Sequence, residues 1–344
     1  MYCTLLIPGL FWPRDTAAAM FAGLELRSLA KLLARAHAER FQSVTTEGWL
    51  CQAFEIERQQ DWPIAPLTLA LDGGQPEGAY WLRADPVHIR VDRNRLSLVE
   101  SALFDLTQEE AQALAGALDE HFSAEGVAFR APHPKRWYAK LLREPKLVTH
   151  SVAEAAGQDV QRFLPSGDDA LGWHRVFNEA QMLLHNHPVN AAREERGDPV
   201  LNSVWLWGGG TLPSVPGRPF GAVWSDDTAA VAIAAAADAH ALSVPADAEA
   251  WLDVAARRDD MKPHLIVLDD LASAAAYHDA EGWRSRLSAL EAHWFAPLAR
   301  ALAESRIRGL ALVAPGPAGC WRFDIARGDL RRFWRRAKPW SEYA

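Results

Sequence analysis

Short apolar runs separated by helical segments constrain this chain more than any other feature. "CTLLIPGL", "PHLIVLDDL" and "RGLALVAPG" are apolar stretches bounded by turn residues. Each has the length and enrichment of a strand buried on both faces. Between them lie "LELRSLAKLLARAHAERF", "DTAAVAIAAAADAHAL" and "WRSRLSALEAHWFAPLARALAES", all rich in helix formers with leucine or alanine at helical spacing. Buried strands alternating with helices predict an α/β fold, a mainly parallel sheet sandwiched by helices. "VLNSVWLW", which ends in Gly208, Gly209 and Gly210, is read as one more strand of that sheet.

The middle of the chain has a different pattern. "AYWLRADPVHIRVDRNRLSLVE" is rich in β-formers and predicts a hairpin near Asp92 to Asn94, with Pro86 interrupting the register. "LTQEEAQALAGALDEHF" places Thr107 and Glu110 as a capping box at the start of a helix. "GVAFRAP" and "RWYAKLL" follow as strands. The expected organisation is an α/β core from residues 1–77 and 166–344, with a small α+β insertion over residues 78–165.

The net charge of −8 argues against nucleic-acid binding by the molecule as a whole. No stretch reaches ~18 uninterrupted apolar residues, so no membrane span is expected. "MYCTLLIPGLFWPRD" lacks the basic lead of a signal peptide. Cys3, Cys51 and Cys320 are scattered and form no metal or redox spacing, so reduced thiols and a cytoplasmic location are expected.

Several segments carry candidate chemistry. "WGGGTLP" lacks the ending of a Walker loop and the spacing of a dinucleotide fingerprint. It offers bare backbone at a strand end, either an anion nest or a tight turn needing positive φ. Asn190, Arg193 and Asn202 lie just before it, and Arg83, Asp85 and His88 lie in "RADPVHIRVD". An arginine in either segment suits a phosphate or carboxylate, or else an ordinary ion pair. "RRFWRRAKPW" could touch RNA or an acidic partner. The acidic balance of the chain favours instead a solvated helix face with Phe333 and Trp334 docked inward.

"FNEAQMLLHNHPVNAAREERGDPVLNSVWLWGGGTLP" resembles the central segment of archaeal-type cofactor-independent phosphoglycerate mutases. "LTQEEAQALAGALDEHF" with "GVAFRAP" resembles the helix and strand of that family's inserted domain. The whole chain is similar to the RpfE-type group of regulatory proteins, offshoots of the alkaline-phosphatase-like superfamily. The resemblance implies an alkaline-phosphatase-like fold. It also marks departures. Where the mutases carry Asp-Gly-x-Gly-Asp after the first strand, this chain has Pro8 and Gly9. Their late metal-binding strand end corresponds to Ala314, Pro315 and Gly316. Of a further metal-binding element only His278 and Asp279 persist, and a weak echo of another is His150. Ser43, Thr45 and Thr46 are the nearby candidates for the nucleophile.

A two-metal phosphotransfer site needs about five or six donor ligands held together. The expectation is therefore a catalytically degenerate relative without metal or cofactor, acting in regulation or in binding a small phosphorylated or anionic ligand, with a protein partner and neither nucleic acid nor membrane. Gly208, Gly209 and Gly210 would line the anion cleft, Arg83 and Arg193 would wall it, and Asp85, His88, Asn190 and Asn202 would complete it. The alternatives are an active metal-dependent phosphotransferase or phosphatase with relocated ligands, and a protein-interaction module without ligand.

Overall fold

The computed structural model describes residues 1–12, 14–92, 95–258 and 262–343. Twelve strands run through the described residues: β1 (Tyr2–Leu6), β2 (His37–Phe41), β3 (Tyr80–Asp92), β4 (Arg95–Glu100), β5 (Val127–His133), β6 (Arg136–Leu141), β7 (Ser203–Gly210), β8 (Ala222–Trp224), β9 (His240–Leu242), β10 (His264–Val267), β11 (Gly309–Ala314) and β12 (Cys320–Ala326). They divide between two compact units, Met1–Glu55 with Val215–Ala344, and Ile56–Ser214. The second unit is wider than the expected 78–165.

In the first unit a seven-stranded sheet has the order β2-β12-β11-β1-β10-β8-β9. β11, β1, β10, β8 and β9 are parallel; β12 and β2 are antiparallel additions at one edge. β8, β10 and β11 are buried along their whole length, as unbroken apolar runs between helices must be. Helices flank this sheet, as expected. One core cluster joins Leu5, Ile7 and Leu312 to Trp251, Trp283 and Phe295. Trp283 is fully buried, donates its indole N–H to the Gly9 carbonyl (2.8 Å), and meets Trp12 and Phe21 edge-on at 5.3 and 5.1 Å. The three cysteines are buried and unbridged, and burial pushes the Cys51 thiol up to about 12, with the Glu47 charge adding to it.

The second unit is built on β3, a thirteen-residue strand with partners along both sides. β6 pairs with its first half, β4 with its second, and β7 runs antiparallel along it from Trp81↔Gly210 to Val87↔Ser203. β7 is therefore not a strand of the parallel sheet, as its sequence suggested. A strand buried on every residue looks the same from its own sequence whichever way its partner runs. Pro86 does not break β3 either. It falls between Arg83, the last residue paired with β6, and Val87, the first paired with β4. A proline, with no N–H to give, is tolerated at such a gap. The expected hairpin closes with Asp92 opposite Arg95; its tip, Arg93 and Asn94, lies outside the described residues. The helix Gln108–Phe122 begins with the capping box of Thr107 and Glu110 and packs Leu114, Leu118 and Phe122 into this unit's core.

The basic tail departs from expectation. Residues 332–339 form no helix, and Phe333 and Trp334 are 80% and 66% exposed. Trp340 and Tyr343 dock instead. Trp340 stacks on Phe21 at 4.5 Å, and Tyr343 packs on Phe11 and Phe323. Four arginines between Arg331 and Arg336 would crowd one short helix, and Pro339 would end it.

Trp283→Ala removes a fully buried indole and orphans the Gly9 carbonyl. It should destabilise the chain by about 3–5 kcal/mol, read as a fall in the urea midpoint with the slope unchanged.

Candidate functional site

Open α/β sheets present ligand-binding residues at the carboxyl ends of their parallel strands. In the first unit that edge is contributed by β1, β8, β10 and β11. β1 runs into Pro8 and Gly9. Gly9 has φ +74°, and a Cβ there would come within 3.0 Å of the Leu271 carbonyl oxygen. Glycine is thus required by conformation and by close approach together. β11 runs into Pro315 and Gly316, and the Gly316 carbonyl accepts a hydrogen bond from the Ser43 hydroxyl (2.9 Å). Thr45, the neighbouring nucleophile candidate, caps the helix Thr46–Ala53 by accepting from the Gly48 N–H. The residues named at the ends of these two central strands, Pro8, Gly9, Pro315 and Gly316 with Ser43, thus offer backbone and one hydroxyl.

Carboxylates appear on the adjacent strand ends. β8 is followed by Asp226 and Asp227, and β10 by Asp269 and Asp270. Asp227 caps the helix Thr228–Ala236 through the Ala230 N–H (2.8 Å). Burial, together with the charges of Asp227, Asp270 and Asp226, pushes the Asp269 carboxyl up to about 6. Asp269 is exposed as a residue. Solvent at this exposed position weakens the effect of burial and leaves repulsion among the four carboxylates as the main cause. Sequence reasoning overlooked these residues. The signal was present as two Asp-Asp pairs directly after apolar strands, but that β8 and β10 are neighbours is a fact of topology.

His278 and Asp279, the two persisting positions of the mutase pattern, do not gather with these acids into a ligand set. His278 is exposed, with φ +55°, and its ring lies edge-on to Trp12. Asp279 caps the helix Ala280–Leu290 through the Gly282 N–H (2.9 Å). Among the described residues no group of three or more His, Cys, Asp or Glu could hold a metal ion. The donor set of the described residues does not fit a two-metal centre.

The nine residues expected around the glycine turn all lie in the second unit, where their polar groups have separate partners. Arg83 and Asp85 form one buried pair, with the guanidinium donating to Asp85 Oδ1 at 3.0 and 2.6 Å. Trp207 Nε1 donates to Asp85 Oδ2 (2.7 Å), and Arg83 lies over the rings of Tyr138 and Trp207 at 5.4 and 5.5 Å. Burial works against the charge on Arg83, but Asp85, Tyr138 and Asp72 outweigh it and hold its pKa above the usual arginine value.

Arg193 belongs to a different set. It is 2% exposed, pairs with Glu110 (2.7 Å), and donates to the carbonyls of Pro199 and Asp105 at 2.8 Å each. Asn190 bonds to the backbone of Leu184 and Leu201, Asn202 to both backbone groups of Ile89, and His88 to the Val200 carbonyl.

The glycines meet packing atoms. A Cβ on Gly208 would lie 3.2 Å from Ile64 Cβ, on Gly209 2.5 Å from the Tyr80 hydroxyl, and on Gly210 2.6 Å from Pro63 Cβ. The Gly208 N–H donates to the Thr149 hydroxyl (3.2 Å), which itself donates to Asp61. Burial raises the Asp61 pKa against the pull of the Thr149 hydrogen bonds. Asp61 and Thr149 were not foreseen: Asp61 lies in no recognisable motif, and in "VTHSV" the resemblance points to His150 alone.

No protein-family model matches the chain. A probable 2,3-bisphosphoglycerate-independent phosphoglycerate mutase of Geobacter sulfurreducens is 26% identical over 157 residues, covering 44% of this chain and 38% of that protein. The match thus spans about two fifths of the relative's length. A cofactor-independent phosphoglycerate mutase from Thermoplasma acidophilum superposes with a TM-score of 0.51 at 12% identity, over 99% of this chain and 95% of the other. The PH0037 protein from Pyrococcus horikoshii superposes with a TM-score of 0.56 at 12% identity, over 99% and 92%. The chain has sequence homology to cofactor-independent phosphoglycerate mutases and shares their fold.

Two outcomes are expected. Arg193→Ala leaves two carbonyls unpaired, while Glu110 keeps Arg196 as a partner (2.7 Å). The loss of stability should lie near the low end of that for a broken buried pair, about 3 kcal/mol by denaturant titration.

For Asp269 the folded carboxyl holds its proton to about 6 and the unfolded one to 3.8. The folded state binds more protons in that window, so stability falls as pH rises through it and the deficit persists above. Asp269→Asn removes the deficit, and its gain in Tm should be larger at about pH 7 than at about pH 4.

Proposed function

We propose that this chain is a catalytically degenerate relative of the cofactor-independent phosphoglycerate mutases, a cytosolic regulatory protein that acts by binding rather than by turnover. The observation that carries this reading is the pair of central strand ends, Pro8–Gly9 after β1 and Pro315–Gly316 after β11. Those are the positions from which a sheet of this kind would present metal-binding carboxylates, and neither residue pair has a side-chain donor. The capping role of Asp279 supports the same reading. The partners we propose are a small phosphorylated or anionic ligand and a second protein. The RpfE-type regulatory group is the family subdivision that fits this proposal.

A second reading is favoured by one observation. The carboxylates after β8 and β10 are close enough to raise Asp269. This alternative is a metal-dependent phosphotransferase whose ligands have moved to neighbouring strands, and it requires donors beyond those brought together among the described residues.

Elemental analysis after dialysis against manganese and zinc, with an assay for phosphoglycerate interconversion, separates the two. No stoichiometric metal and no turnover are expected. Either a bound equivalent of metal or measurable interconversion would refute degeneracy. A thermal-shift titration with inorganic phosphate then distinguishes a small-anion ligand from a protein partner alone.

A further inference from the structure

The tail residues Arg331–Trp340 hold five cations, no acid and two large exposed aromatic side chains. This patch is independent of the strand-end site.

Its shape is fixed on both sides. Before the tip, Arg332 pairs with Asp329 (2.9 Å); after it, Arg335 Nη1 donates to the Ala36 carbonyl (3.0 Å), Lys338 pairs with Glu342 (3.1 Å), and Trp340 is stacked on Phe21. The stretch between these anchors is a turn closed by the Arg335 N–H on the Arg332 carbonyl. Phe333 and Trp334 occupy that turn with their rings nearly perpendicular, at 82° and 5.3 Å between centroids. Arg331 and Arg336 flank it and have no ion pair among the described residues.

We infer that this turn is a peripheral docking site for an anionic bilayer surface, with Phe333 and Trp334 entering the interface and Arg331 and Arg336 facing lipid phosphates. Three features select this occupant over other polyanions. First, adjacent side chains on a turn project together, which suits a soft planar surface. Second, perpendicular rings give no parallel platform for successive nucleic-acid bases, whereas an interface accepts aromatic rings in many orientations. Third, peripheral attachment needs two signals, an apolar insertion and a basic patch, and the turn supplies both.

The net charge of −8, the ground for expecting no membrane partner, belongs to the whole chain. A bilayer touching the turn senses mainly the charges within a Debye length of it. Along the chain, residues 329–342 hold five cations against Asp329 and Glu342. Among the described residues no helix is long and apolar enough to cross a membrane, so the contact would be superficial.

Co-sedimentation of the full chain with mixed phosphatidylcholine–phosphatidylglycerol vesicles tests this. Binding is expected to the mixed vesicles and not to pure phosphatidylcholine, and to weaken with added salt. Each cation near the surface strengthens binding about fivefold, so reversing Arg331 and Arg336 to glutamate should weaken it by at least tenfold. Replacing Phe333 and Trp334 together by alanine should abolish co-sedimentation while leaving Tm unchanged, because both side chains are exposed. Parallel titrations use a single-stranded oligonucleotide and polyglutamate.

Failure to bind mixed vesicles overturns the inference. So does vesicle binding that survives the double alanine variant, which would place the site elsewhere. Binding to the oligonucleotide or polyglutamate without vesicle binding would assign the turn to a different polyanion and also overturn it.

Discussion

β1 is the element on which the first unit depends. It hydrogen-bonds on both sides, to β10 and β11, and continues the β11 ladder through the Ile7 N–H to the Val313 carbonyl. A strand in that position is covered on both faces and must be mainly apolar, which "CTLLI" satisfies with Thr4 as its one polar residue. The same confinement governs the turn after the strand. Gly9 leaves the sheet pressed against the Leu271 carbonyl, with its own carbonyl held by Trp283. A larger residue with donor atoms at position 9 would displace that contact. The packing that stabilises the strand end and the lack of a donor side chain there are the same fact seen twice.

The second unit handles its polar groups differently. Its arginines are internal. Arg83 is enclosed by Asp85, Tyr138 and Trp207, and Arg193 by Glu110 and two carbonyls. Every nitrogen of each guanidinium donates a hydrogen bond inside the unit, the condition under which a buried cation is tolerated. Such residues specify how strands and helices meet, since few other arrangements give each nitrogen an acceptor.

Elements with a strong local signal were legible in the sequence. The apolar runs of β1, β10 and β11 and the capping box at Thr107 carry their own physics, a two-sided burial pattern and a short-range hydrogen-bond exchange. The direction of β7 was not legible, because nothing in "SVWLWGGG" records that β3 is its partner. The aspartates at the ends of β8 and β10 were visible as residues and invisible as neighbours. The tail was misjudged for a competitive reason. Phe333 and Trp334 were the apolar residues nearest to hand, but Trp340 and Tyr343 reach the aromatic cluster of Phe11, Phe21 and Phe323 and occupy it.

The strand order has a consequence for synthesis of the chain. Tyr2–Leu6 is synthesised more than 250 residues before either of its partners, His264–Val267 and Gly309–Ala314. Throughout elongation this apolar strand has neither neighbour available, while β3 to β7 can complete their own sheet as soon as Gly210 has emerged. At that stage a folded second unit follows an unpaired, sticky β1, the kind of exposed edge that holdase chaperones shield.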